Sequence, residues 1–175
     1  MFAYCLFCQT QKTETIALQL ERRGVNRAIS PRIVKRQRVR GKNVDALYPL
    51  LPGYVFVYSQ TELPDYEPFR GIEGIIRRLG TAEQGYRLLD GDYDFAMNLY
   101  RKDGVVGQIT VFKVGDTVRL DDPLFNGCQG TITRIDPRKQ RARVDYQFAG
   151  MSCFTWIACE LISGRAESEQ NPSAP

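Results

Sequence analysis

Leu50-Leu51-Pro52-Gly53-Tyr54-Val55-Phe56-Val57-Tyr58 is the stretch on which the reading of this chain turns. Pro52-Gly53 is turn chemistry, since proline presets φ and glycine accepts the positive φ that tight turns require. The residues after it are all β-branched or aromatic, which marks a strand. Alternate strand positions share a face, so Tyr54 and Phe56 project together. Upstream, Pro31 opens another extended segment. Residues 32–42 (RIVKRQRVRGK) hold six basic residues and no acid, and Gly41-Lys42-Asn43 reads as the turn of a hairpin. At the start, FAYCLFC (2–8) is apolar on both alternating faces, as expected of a strand covered on both sides.

The remaining elements follow from periodicity and punctuation. A helix is expected over 12–23, with Ile16, Ala17 and Leu20 inward, Arg22 and Arg23 at its negative dipole end, and Gly24 as the stop. A short strand falls between glycines at 74–80. A second helix covers 90–102, capped by Asp90 or Asp92, with Phe95, Ala96 and Leu99 inward. Beyond 104–107 the texture changes to short strands at 116–120, 130–136, 141–148, 152–157 and near Leu161. Asp136-Pro137-Arg138-Lys139 forms a turn, and Phe154 and Trp156 serve as barrel core. The fold class is therefore α+β. An N-terminal α/β sandwich (1–104), an antiparallel sheet flanked by helices, is joined by a linker (105–112) to a small SH3-like β-barrel (113–162), followed by a disordered tail (163–175).

Composition narrows the function. The chain has 175 residues, of which 43% are hydrophobic and 25% charged, so it can bury one medium core or two small ones. No apolar run approaches the ~20 residues of a membrane span, and the start lacks the basic flank of an export signal. A cytoplasmic monomer with no membrane attachment is expected. No histidine is present, which removes the commonest general base, Ser-His-Asp and Cys-His pairs, and HExxH metal sites. The five cysteines are odd in number and irregularly spaced, unlike a disulfide framework. Cys5 and Cys8, three apart on a strand, point to opposite faces and cannot easily share a metal. No enzyme activity, metal or cofactor is expected. The net charge of +4 is unevenly spread. Residues 1–44 carry ten Lys/Arg against two Asp/Glu, while 45–104 carry six against ten. That asymmetry calls for one localised anionic partner.

The run Leu51-Pro52-Gly53-Tyr54-Val55-Phe56-Val57 resembles the N-terminal domain of NusG-family transcription factors. Val114-Gly115-Asp116-x-Val118-Arg119, Pro123-x-Phe125, Gly130-x-Ile132 and Val144-x-x-x-Phe148-x-Gly150 resemble that family's KOW motif. Order and spacing agree over about 160 residues. The segments at 48–56 and 74–80 look more like a specialised paralogue of the LoaP type than like a housekeeping factor. The resemblance implies an elongation and processive antitermination factor that catalyses nothing. Leu51, Pro52, Tyr54 and Phe56 would meet the clamp helices of RNA polymerase. Arg32, Lys35, Arg36, Arg38, Arg40 and Lys42 would meet nascent RNA or non-template DNA. Arg138, Lys139 and Arg141 of the KOW domain would contact RNA or a ribosomal protein. Against these stand plainer readings: Tyr54 and Phe56 as core, the hairpin as a solvated charge run, the KOW arginines as ordinary surface. The rival functions are a general NusG-type elongation or termination factor, a ribosome-associated KOW protein, and an RNA-modifying enzyme with a barrel appendage. A helix-to-strand switch of the KOW domain is not expected, because its sequence is β-prone throughout.

Overall fold

The computed structural model describes residues 1–63, 67–114, 117–120, 122–126 and 130–163. In chain order the first part comprises β1 (Phe2–Cys8), α1 (Thr13–Arg22), β2 (Arg27–Ile29), β3 (Arg32–Val39) and β4 (Lys42–Pro49). It continues with β5 (Tyr54–Ser59), β6 (Ile75–Arg78), α2 (Asp90–Arg101) and β7 (Val105–Val106). A four-stranded sheet in the order β2-β5-β1-β6 forms the platform. Its central pair is antiparallel, from Phe2 opposite Ser59 to Phe7 opposite Tyr54.

The double-sided hydrophobicity of β1 has the expected result. Tyr4, Leu6 and Cys8, with Val55 and Val57 of β5, pack under Ile16, Ala17 and Leu20 of α1. Ala3, Cys5, Phe56 and Tyr58 face the other way, towards Phe95, Ala96 and Leu99 of α2. The Tyr58 hydroxyl donates to the Ala96 carbonyl at 2.7 Å, which anchors that helix over the sheet. Cys5 and Cys8 do lie in opposite cores. Burial raises the Cys8 thiol to about 12 and Cys5 well above its usual range.

Three local expectations are corrected. The hairpin turns at Arg40-Gly41, because Val39 pairs with Lys42 and both turn residues have positive φ (48° and 79°). That is the two-residue geometry whose twist matches paired strands, so Lys42 and Asn43 belong to β4. The N-cap of α2 is Leu89, which makes no side-chain cap bond; Asp90 and Asp92 lie in the first turn. The segment 105–112 is no bare linker. Val105–Val106 pairs with Arg32 and Ile33 in parallel, and a further strand begins at Ile109.

The second part contains β8 (Ile109–Val114), β9 (Thr117–Leu120), a helical turn α3 (Pro123–Asn126), β10 (Thr131–Asp136), β11 (Arg141–Phe148) and β12 (Met151–Ser163). These strands form one sheet in the order β10-β11-β12-β8-β9. The strands expected at 152–157 and near Leu161 are a single strand. Its first half pairs antiparallel with β11, and residues 159–163 pair parallel with β8. Such a strand, shared by both halves of the sheet, curls it towards a barrel. Of the expected tail, only Ser163, the last residue of β12, lies within the described residues.

Phe154 and Trp156 are not barrel core. With a period of two, β12 points Thr155 and Ile157 inward, leaving Phe154 58% exposed and Trp156 half-buried on the opposite face. Arg143 lies over the Phe154 ring at 4.1 Å and Arg141 over the Trp156 ring at 4.4 Å.

The two parts share one core. Phe148, fully buried, lies 5.3 Å from both Phe56 and Phe95, and Tyr146 stacks on Phe95 at 5.9 Å with ring planes 17° apart. Phe125 closes the cluster at 6.5 Å from Phe95. Phe95→Ala should therefore lower stability by ~3–5 kcal/mol in urea denaturation, the usual cost of truncating a buried aromatic. In the native protein at pH 8, iodoacetamide should leave Cys5 and Cys8 unmodified by mass spectrometry. Their raised pKa values leave almost no thiolate, and urea should release both.

Candidate functional site

The turn that opens β5 is built by contact. The Cys8 amide donates to the Gly53 carbonyl at 2.7 Å, and Gly53 has φ +86°. A Cβ there would stand 3.0 Å from the Cys8 carbonyl oxygen and 3.2 Å from the Phe7 ring, so only glycine suits the site. This turn aims Tyr54 and Phe56 at one side of the sheet. Leu51 and Phe56 are buried, Tyr54 is half-buried and Pro52 is exposed. What covers them is the barrel. Phe148 lies on Phe56 and meets Tyr54 edge-on at 6.2 Å, while the Tyr54 hydroxyl donates to Met151 Sδ at 3.7 Å. The segment expected to meet a partner helix is thus occupied from within the chain.

Polar contacts at the N- and C-terminal ends of α2 hold the barrel in place. Both Asp92 carboxylate oxygens accept from the Ala149 amide, at 3.0 and 3.1 Å. Ala149 and Gly150 form the positive-φ turn between β11 and β12 (φ 50° and 73°). Further along, Asn98 Nδ2 donates to the Pro123 carbonyl at 2.8 Å, and Lys102 Nζ reaches the buried Asp122 carboxylate at 2.7 Å. Asp92, Asn98 and Lys102 therefore flank Phe95 with directional bonds to the barrel. The sequence signal for them was the helical period, but the partner that period would meet could not be read from it.

The basic hairpin is less free than its sequence suggests. The segment has no acid of its own, yet acids reach it from elsewhere. Arg32 pairs with Glu14 of α1, and Arg36 Nε pairs with Asp45 of β4 at 3.1 Å. Lys35 lies 5.4 Å from the centre of the Tyr48 ring. Its pKa is lowered, first by burial and then by the nearby Arg141 guanidinium. Arg38 falls on β3, with its side chain outside the described part. Arg40 and Lys42, at the tip, are exposed and have no acidic partner among the described residues.

The hairpin and the barrel turn meet. Arg36 Nη1 donates to Gln140 Oε1 at 2.9 Å across the two parts. A cavity of about 190 Å³ is lined by Lys35, Arg36, Tyr48, Arg141 and Trp156 among others. Beside it, a larger one of about 600 Å³ is lined by Arg36, Gln37, Arg138, Lys139, Gln140 and Arg141. Of the hairpin basics, Lys35 and Arg36 thus border one cleft with Arg138, Lys139 and Arg141, while Arg32, Arg40 and Lys42 do not line it. Trp156 and Tyr48 were missed as part of it. The cross-strand register that sets Arg143 opposite Trp156 on β11 and β12 is what turns the indole outward.

Removing the latch tests the coverage. Asp92→Ala should speed amide exchange at Ala149 and along β5 while leaving the α1 side of the sheet protected. Hydrogen exchange with mass spectrometry would show it. Unchanged protection of β5 would mean that the aromatic cluster alone holds the barrel down.

Residues 3–94 match the family model described as NusG, transcription termination factor nusG. Curated relatives include the transcription termination/antitermination protein NusG of Rickettsia typhi, 24% identical over 112 residues, and that of Buchnera aphidicola, 25% identical over 114. These alignments cover 63% and 64% of this chain, which spans 58% and 63% of the length of those relatives. A solved structure described as "Domain interaction in Thermotoga maritima NusG" is similar in fold, with a TM-score of 0.52 at 19% identity, covering 89% of this chain and 92% of that one. With just over half of its residues under the family model, and with the Pro52-Gly53 turn and β1–β5 platform inside the matched range, the chain belongs to the NusG family.

Proposed function

We propose that this protein is a transcription elongation factor promoting processive antitermination, which binds RNA polymerase through the Leu51–Pro52–Tyr54–Phe56 face of β5. Family membership supports the polymerase as partner, and the one observation that carries the site is the geometry of that face. Tyr54 and Phe56 project from a central strand of the platform, and the surface that covers them is the barrel, packed through the Phe95 cluster and oriented by the polar bonds of Asp92, Asn98 and Lys102. A sheet face with two aromatic anchors suits an amphipathic helix of the clamp type. In the closed arrangement that face is unavailable, so docking on polymerase displaces the barrel. The gain at the polymerase must exceed the loss of the Phe56–Phe95–Phe148 contacts, and the factor's effect is bounded by that difference.

The exposed tip residues Arg40 and Lys42 are the hairpin's contact to nucleic-acid phosphate; Arg36 adds to them when it leaves Asp45. The LoaP-like character of 48–56 and 74–80 favours a factor recruited to particular transcripts over one acting on every template.

The reading has a direct test. Asp92→Ala should bind polymerase more tightly than the parent in a mobility-shift assay, and adding Tyr54→Ala should cost ~2–4 kcal/mol of that binding. In single-round transcription through tandem terminators, the parent should raise read-through on its own leader and not on a scrambled one. Equal read-through on both would favour a general NusG-type factor. A Tyr54→Ala protein that stays folded and binds polymerase normally would remove β5 from the interface.

A further inference from the structure

We propose that the cleft between the β3–β4 hairpin and the barrel is a composite site for single-stranded nucleic acid that exists only while the two parts are docked, so that nucleic acid bound there holds the factor closed. The proposal rests on the reading of the hairpin as a nucleic-acid contact and adds the second wall, the aromatic floor and the coupling to domain closure.

Charge comes first. Lys35 and Arg36 enter from the hairpin, and Arg138, Lys139 and Arg141 from the β10–β11 turn and the start of β11. Lys35 and Arg141 are close enough for the guanidinium to lower the lysine's pKa, a like-charge approach that closure imposes on both. Among the described residues, the carboxylates paired with cleft residues are Asp45, on Arg36, and Asp136, 3.5 Å from Arg141 Nε. A polyanion threading the cleft relieves the repulsion between its walls, which gives it a preference for the docked state.

Shape and chemistry supply the rest. Trp156 lies at the narrow end, with the Arg141 guanidinium 4.4 Å from its ring centre, and Tyr48 lines the opposite wall with its hydroxyl donating to Gln37 Oε1 at 2.7 Å. An unpaired base finds a planar cation–aromatic stack there, while its phosphates run out past Arg36 towards Lys139 and Arg138. A duplex, whose bases are already stacked, cannot use that end. Gln37 and Gln140 leave amide groups beside the same path.

The coupling is geometric. Lys35, Arg36 and Tyr48 belong to the hairpin, while Arg138, Lys139, Arg141 and Trp156 belong to the barrel. Separating the parts divides the site. The closed state that completes the cleft is also the one that buries Phe56 under Phe148. Nucleic acid in the cleft and any partner on the β5 face therefore oppose one another by linkage, each weakening the other by the same factor.

Trp156, the sole tryptophan of the chain, provides the readout. The full-length protein is titrated with a mixed-sequence 12-nucleotide RNA and with DNA of the same sequence. Binding is followed by anisotropy of an end label across a salt series and by tryptophan fluorescence. We expect quenching with the same midpoint as the anisotropy, and the RNA and DNA arms show whether the 2′-hydroxyl contributes. Arg138→Gln with Lys139→Gln should weaken binding at least tenfold and make the log–log salt slope shallower by roughly 1.4, two single-strand phosphate contacts' worth. Asp92→Ala combined with Met151→Ser removes two of the contacts that hold the barrel over β5 and takes away one negative charge. On charge alone this variant binds more tightly; the composite site requires weaker binding and lost quenching. Tight, unquenched binding by it, or indifference to the Arg138/Lys139 change, would overturn the composite site. Arg40→Glu with Lys42→Glu separates the two readings. If this pair alone abolishes binding, the hairpin reading stands without the cleft; if neither pair matters, both readings fall.

Discussion

Phe95 holds this molecule together. It sits on α2 where the platform sheet, the helix and the barrel meet, against Phe56 from β5, Phe148 and Tyr146 from β11, and Phe125 from α3. Each such aromatic pair contributes about 0.5–1.5 kcal/mol beyond the area it buries. Around this apolar centre, Asp92, Asn98 and Lys102 make directional bonds to the barrel. The cluster supplies attraction without orientation, and the polar bonds supply orientation with little net attraction. Together they dock the barrel in one pose.

That pose has opposite effects on the two candidate surfaces. On one flank it covers the β5 face, burying Phe56 and half-burying Tyr54. On the other flank it assembles the cleft by bringing the β10–β11 turn against the hairpin, where Arg36 and Gln140 join. Docking therefore exchanges an apolar surface for a basic one. In the docked arrangement the basic cleft faces outward while Phe56 lies under Phe148.

Much of the fold could be read from local pattern. The strands at 2–8 and 141–148 and the helix of α2 fell within a residue of expectation, because periodicity of burial and Gly or Pro punctuation agree there. The errors share one cause. The turn at Arg40-Gly41 differs from the expected Gly41-Lys42-Asn43 because a non-glycine residue at φ 48° gives no local signal. Strand β12 was split at Ile157 because its two halves pair with different partners, β11 and β8. Residues 105–106 carry no strand signal because two residues of parallel pairing leave no periodicity at all.

What the sequence determined by itself is whatever depends on neighbours within about ten residues. This covers the longer strands and both long helices, the two-part order, the opposite placement of Cys5 and Cys8, the shared face of Tyr54 and Phe56, and the charge of the hairpin. What only the tertiary structure decided is what those faces meet. Alternation shows that Phe56 points to one side of a sheet, but not whether that side holds solvent, a partner or Phe148. A charge run shows where cations are, but not that Glu14 and Asp45 neutralise two of them while Arg141 shares a cavity with a third. Such pairings join residues as far apart as 36 and 140, or 92 and 149. Their separation along the chain carries no period, so no local pattern records them and only the packed structure brings them together.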